Sequence, residues 1–171
     1  MKIGFDLDRV FINYPPFMPG FIIDYLYKNH GTKKLSYRIP SSPVEIFIRR
    51  ASHWWIFRPP IQQNIDYLHS LAKTGKHELY LISSRYGFLR PQTEFILNKY
   101  GLIKPFKQIY LNLKNEQAHE FKKRIIDKLG IDLFIDDDSD LINFLASSNS
   151  QIKLFHCFPP HRLEEIGQLL T

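Results

Sequence analysis

Cysteine occurs once in the 171 residues, at Cys157, which excludes an intramolecular disulfide and makes a reducing compartment the expectation. No apolar run approaches the roughly 20 residues of a membrane span, and the N-terminus lacks the basic-then-apolar layout of a signal peptide. Internal repeats and low-complexity stretches are also missing. A cytoplasmic protein without a membrane partner is therefore expected. Acidic residues are in deficit, 17 against 23 Lys and Arg, for a net charge of +6. That balance suits an anionic partner, either a phosphorylated small molecule or a nucleic acid. Much of the excess, however, sits in "KK", "RR" and "KKR" runs typical of solvated helix faces.

With 44% hydrophobic residues, the chain is long enough for one core, so a single domain over residues 1–171 is expected. Short apolar runs alternate with helix-length amphipathic segments. "KIGF" (2–5), "LYLIS" (79–83), "QIYLN" (108–112), "LFID" (133–136) and "IKLFH" (152–156) read as buried strands. Helical spacing appears over 59–75, 90–101, 115–130 and 139–148. This rhythm predicts an α/β fold: a three-layer, Rossmann-like parallel-sheet core covered by helices on both faces. Residues 13–58 break the rhythm, and they are too many for an ordinary strand-to-helix loop. They read as a small, mainly helical cap inserted after the first strand, over its C-terminal edge.

In such a sheet, ligands sit beyond the C-terminal ends of the strands. The first strand ends in Asp6 and Asp8, the second in Ser83, Ser84 and Arg85, and the fourth in "DDDSD", Asp136 to Asp140. Lys122 and Lys123 lie on the helix leading into that fourth strand. Each feature alone has an ordinary explanation: "DDDSD" as an acidic helix start, "SSR" as loop chemistry, the lysines as surface residues. Together, carboxylates from two strands, a hydroxyl from a third and an ammonium beside them make a site for a divalent cation and a phosphoryl group. Asp6 and Asp8, at i and i+2 on one side of an extended chain, would repel each other without a cation between them.

The order "DLDRV", "LISS", "FKKR", "FIDDDSD" resembles the four motifs of the haloacid dehalogenase (HAD) superfamily of phosphohydrolases and phosphotransferases, over essentially the whole chain. The resemblance implies that Asp6 is a nucleophile forming an aspartyl phosphate and Asp8 the general acid and base. It implies Mg²⁺ held by Asp6, the backbone carbonyl of Asp8 and Asp136, with Asp137 or Asp140 in its outer shell. Ser83 and Ser84 would hydrogen-bond the phosphoryl oxygens, with Lys122 paired to them and Lys123 as the alternative. The second aspartate, which the dehalogenases of the superfamily lack, favours phosphoryl chemistry. Arg9 departs from the pattern, standing where many relatives carry a small residue.

The insertion resembles the helical caps of small deoxynucleotidase-type members, and it carries Arg38, Arg49, Arg50, His53, Trp54, Trp55 and Arg58. Arg49 and Trp54 are its candidate substrate contacts, through stacking and charge, while at least one ring of "WW" belongs to the cap's own packing. The expected activity is Mg²⁺-dependent hydrolysis of a small phosphomonoester, a nucleotide among the candidates. Two alternatives are weighed beside it. A nucleic-acid end-processing phosphatase suits the basic charge. A non-catalytic receiver-like module ranks lower, because its phosphate-accepting aspartate follows a middle strand and here the candidate follows the first.

Overall fold

A computed structural model describes residues 1–15, 28, 35–148, 151–157 and 162–170. Five strands, β1 (Lys2–Phe5), β2 (Glu78–Tyr86), β3 (Gln108–Asn112), β4 (Leu133–Asp136) and β5 (Lys153–His156), form one sheet in the order β3-β2-β1-β4-β5. Every pairing is parallel, with Phe5 opposite Leu81 on one side and Ile135 on the other. From β1 the chain builds outward through β2 and β3, then returns to the other side of β1 for β4 and β5. Strand order thus reverses at the β1/β4 boundary, where a crevice opens beyond the strand ends.

Among the described residues, helices α1 (Pro43–Ser52), α2 (Gln62–Lys73), α3 (Arg90–Lys99), α4 (Ala118–Leu129) and α5 (Ser139–Ser148) accompany the sheet, with short 3₁₀ turns at Trp55–Phe57, Gly87–Leu89 and Leu163–Leu169. Side-chain alternation along the strands sorts the core into two layers. Leu79, Leu81, Leu133 and Ile135 pack with Ile65 and Leu68 of α2 and Ile96 and Leu97 of α3. Tyr80, Ile82 and Phe134 pack with Phe121, Ile125 and Ile126 of α4 and Leu141 and Leu145 of α5. Strands buried on both faces explain the near-continuous apolar runs of the sequence. The predicted three-layer α/β class is the observed one.

Some boundaries move for physical reasons. The helix expected from residue 59 starts at Gln62, because the preceding prolines pair with the motif loop: Asn13 N donates to Pro59 O at 2.8 Å and Ile12 bridges Pro60. Strand β2 runs on to Tyr86, past the expected end at residue 83, with a register shift against β3 between Ser83 and Tyr86. Within the insertion, α1 begins at a capping box in which Ser42 accepts from the Glu45 amide and Pro43 occupies the first turn. The rest of the expectation for a helical insertion falls largely on residues 16–27 and 29–34, outside the described residues. Among the described residues no helix is long and apolar enough to cross a membrane.

Candidate active site

The loop after β1 is built so that its two aspartates diverge. Asp6 N donates to Ile135 O at 2.9 Å, which extends the β1/β4 pairing by one residue and aims the Asp6 side chain into the crevice. Its Oδ2 accepts from the Asp8 amide at 3.0 Å. Leu7, Val10, Phe11 and Ile12 are fully buried and anchor the loop, while Arg9 takes a left-handed φ of 56°. The Arg9 guanidinium lies over the Tyr14 ring and 3.7 Å from Asp137 Oδ2.

Asp6 joins an acidic cluster. Lys122 Nζ stands 2.8 Å from Asp6 Oδ1 and 2.6 Å from Asp136 Oδ2, and all three side chains are buried. Asp136 closes β4 as Asp6 follows β1, so adjacent strands bring the two carboxylates together. Helix periodicity decides between the two lysines: Lys122 shares the inward face with Ala118, Phe121, Ile125 and Ile126, whereas Lys123 pairs outward with Asp127 at 2.5 Å. Asp6, Asp136 and Asp137 offer carboxylate oxygens within 4.8 Å of one another. Burial raises the Asp6 carboxyl to about 7, with Asp136 and Asp8 adding to the rise and Lys122 opposing it. Burial likewise raises Asp136 and, aided by the charges of Asp136 and Asp6, lifts Asp137 well above the carboxylate range. Burial would lower Lys122, but Asp136 and Asp6 outweigh it and keep the ammonium charged. Three hard oxygen donors short of positive charge fit a divalent cation.

Asp8 has opposite surroundings. Arg85 grips it with two bonds, Nε to Oδ2 and Nη2 to Oδ1, each 2.8 Å, and Arg58 Nη1 adds a third to Oδ1 at 3.2 Å. Burial alone would raise this carboxyl, yet Arg85 and then Arg58 hold it well below the usual range. The repulsion anticipated between Asp6 and Asp8 is thus resolved by separate cations, Lys122 for one and Arg85 for the other.

A cavity of about 370 Å³ opens here, lined by both aspartates, Arg9, Tyr14, Arg49, Arg58, Ser84, Arg85, Lys122, Asp136 and Asp137, among others. Three of the candidates lie elsewhere. Ser83 is 1% exposed and does not line the cavity; its Oγ accepts from the Arg85 amide at 3.4 Å, because the prolonged β2 carries Ser84 and Arg85 to the crevice instead. Trp54 is 50% exposed and also absent from the lining, while Trp55 packs on the core under Lys99. Of the two expected cap contacts, the structure brings Arg49 to the cavity and not Trp54. Asp140, expected near the metal, pairs with Lys28 at 2.6 Å. Asp138 between them accepts from Lys28 at 2.9 Å and from the Tyr37 hydroxyl at 2.6 Å, tying the insertion to the loop after β4.

Three residues grouped at Asp8 are named by the sequence without a role there: Arg85, Arg58 and His53. Arg85 carried a signal, directly following "SS" at a strand end. Arg58 and His53 carried none beyond membership of a basic, aromatic insertion.

No protein-family model and no curated protein matches the sequence. Among solved structures the chain is similar to a HAD-family enzyme from Bacteroides thetaiotaomicron, an aspartate-to-alanine mutant in complex with magnesium and inorganic phosphate. The identity is 18% and the TM-score 0.58, over 91% of this chain and 92% of that one. It is also similar to a HAD-superfamily hydrolase from Ehrlichia chaffeensis, at 16% identity and TM-score 0.53 over 99% and 97% of the two chains. A third likeness is to a chain of an RNA repair complex, at 15% identity and TM-score 0.53, over 90% of this chain but 41% of that one. The fold is that of the HAD hydrolases.

Proposed function

We propose that the protein is a Mg²⁺-dependent phosphatase that hydrolyses a small phosphomonoester through an aspartyl phosphate on Asp6. The observation that carries this reading is the cluster at the sheet's switch point: Asp6, Asp136 and Asp137 with oxygens inside 4.8 Å, and Lys122 bridging the first two. The likeness to a fold-mate crystallised with magnesium and phosphate supports it. Asp6, Asp136 and the Asp8 backbone carbonyl would hold the ion, with Asp137 beside them. When bound, it neutralises the charge that would otherwise set a carboxylate against a phosphate.

The chain's own residues supply the rest. Asp6 attacks phosphorus, the ester bond to the leaving oxygen breaks, and the phosphoryl group is left on the Asp6 carboxylate. A water then attacks that phosphorus, releasing inorganic phosphate and restoring Asp6. Asp8 carries the proton, to the departing oxygen in the first step and from the water in the second. Its two guanidinium partners hold it as a carboxylate in the free protein, so the first step needs those contacts to pass to the incoming phosphate. Lys122 and Ser84 face the phosphoryl oxygens, and Ser83 holds the turn that presents Arg85. From the insertion, Arg49 lines the cavity beside the leaving group and selects it.

The test is a panel of phosphomonoesters, sugar phosphates, mononucleotides and 3′- and 5′-phosphorylated oligonucleotides, each with Mg²⁺ and with EDTA. Turnover of small esters that vanishes with EDTA is expected. Turnover confined to the oligonucleotides, weakening steeply with salt, would replace this reading with nucleic-acid end processing.

A further inference from the structure

Arg58 belongs to the insertion, yet its guanidinium is fixed at the centre of the site. Nη1 donates to Asp8 Oδ1 at 3.2 Å, Nε to Ser52 O at 3.0 Å, and Nη2 meets His53 Nε2 at 3.2 Å. The residue is 2% exposed, lines the cavity, and lies over the Tyr14 ring at 5.2 Å. Burying a long, flexible cation this fully requires a surround that satisfies its donors.

His53 completes that surround in one protonation state. Its Nδ1 stands 2.8 Å from Arg49 O, and a carbonyl only accepts, so Nδ1 carries the hydrogen. Nε2 is then left as an acceptor, which is what a guanidinium N–H needs. Burial first, then the Arg58 and Arg85 cations, hold the imidazole neutral. A carboxylate in this position would hold Arg58 more tightly but cancel its charge. A neutral imidazole aims the guanidinium and leaves the charge for the cavity. Asp8, meanwhile, divides one negative charge between Arg58 and Arg85.

We propose, on the basis of the phosphatase reading, that Arg58 is a catalytic residue supplied by the insertion, binding the phosphoryl group in transfer, and that His53 is the residue that positions it. The insertion then does more than select the leaving group. Arg58 acts on every ester, whatever its alcohol, because the group it contacts is common to all.

The experiment compares Arg58→Gln, Arg58→Lys, His53→Gln and His53→Asn with wild type. It measures kcat and KM on p-nitrophenyl phosphate and on the best large ester, the affinity for inorganic phosphate with Mg²⁺, and the Tm of each variant. Arg58→Gln is expected to lose about 100-fold in kcat on both esters and to bind phosphate more weakly. Arg58→Lys, which keeps the charge without the fork, should fall between. His53→Gln places an amide oxygen near the Nε2 position and should retain most activity, whereas His53→Asn replaces only the Nδ1 end and should fall towards Arg58→Gln. An Arg58→Gln variant that is folded and loses only the large ester would overturn the catalytic role. Equal losses in the two His53 variants, at equal Tm, would overturn the positioning role. Should wild type hydrolyse no ester, the phosphatase reading fails on its own, and phosphate affinity then decides for Arg58: unchanged in Arg58→Gln, it rejects the proposal.

Discussion

Lys122 reaches Asp6 at 2.8 Å from α4, a helix more than a hundred residues farther along the chain. This ammonium is the buried counter-charge of an acidic cluster, so Lys122→Met should do more than remove a phosphate contact. It leaves buried carboxylates uncompensated, a change that costs about 3–5 kcal/mol when one partner of a buried pair is lost. Urea unfolding in EDTA should show that loss, and added Mg²⁺ should recover part of it. Equal destabilisation with and without Mg²⁺ would mean that the cation does not enter this cluster.

Asp6→Asn should leave the fold intact and reduce turnover by at least about 10³-fold, because the amide keeps the size of the carboxylate but not its nucleophilicity. Acid-quenched protein incubated with a ³²P-labelled ester gives the direct check. Label should stay on wild type and not on the variant. Wild-type rates in the variant would remove Asp6 from the mechanism.

Metal binding should register as stability. A ligand at 100 times its Kd adds about 2.7 kcal/mol, and for a chain of this size each kcal/mol moves Tm by roughly 2–4 °C. Mg²⁺ should therefore raise the wild-type Tm, and Asp136→Asn should shrink the rise. Asp127→Asn, which alters an exposed pair with Lys123, should not. Identical Mg²⁺ titrations of Tm in Asp136→Asn and wild type would take Asp136 out of the ligand set.

How far the sequence foretold this site depends on how local each residue's placement is. Asp6 and Asp136 were legible because each follows a short apolar run, and a parallel sheet delivers strand ends to one edge. Lys122 was legible only as one of two. The i, i+4, i+8 series Ala118, Lys122, Ile126 was present in the sequence and would have chosen it. Ser83 and Ser84 were both candidates and could not be told apart, because β2 outlasts its apolar run and a register shift in the pairing with β3 leaves no trace in hydrophobicity. Arg58 and His53 were beyond reach. Their meeting with Asp8 depends on the path of an insertion whose sequence fixes a capped helix and little else.

Two glycines, Gly4 in β1 and Gly87 just past β2, offer a test of the fold that is independent of the chemistry. A Cβ on Gly4 would stand 2.8 Å from Phe134 Cδ2 and 3.3 Å from Ile82 Cδ1, both packed in the α4/α5 layer. Gly4→Ala should cost about 1–3 kcal/mol as those side chains are forced aside. At Gly87 the Cβ would meet the backbone oxygen of Leu113 at 2.7 Å, which cannot rotate away, so Gly87→Ala should cost at least as much. Chemical denaturation of both variants measures this. A neutral Gly87→Ala would show that the loop after β3 sits farther from β2 than described.

The last prediction concerns pH and follows from His53. Burial and the neighbouring cations Arg58 and Arg85 hold its folded pKa well below 6.5, whereas the unfolded imidazole titrates at about 6.5. Above that pH neither state binds the proton, and His53 makes no pH-dependent contribution. Below it the unfolded chain takes up a proton that the folded protein refuses, so stability falls as pH falls, by up to about 1.4 kcal/mol per unit. In metal-free protein Asp6 works against this: raised to about 7, it holds a proton in the folded state that the unfolded carboxyl releases, and so adds stability as pH falls through the same window. The two are separated by subtracting the stability of His53→Gln, which lacks the imidazole but keeps Asp6. That difference should be flat above pH 7 and should turn against wild type between about pH 6 and 4.5. Parallel profiles, or a His53 NMR resonance that titrates near 6.5 in the folded protein, would mean that the imidazole accepts a proton in place. It could not then be the acceptor that aims Arg58 at Asp8.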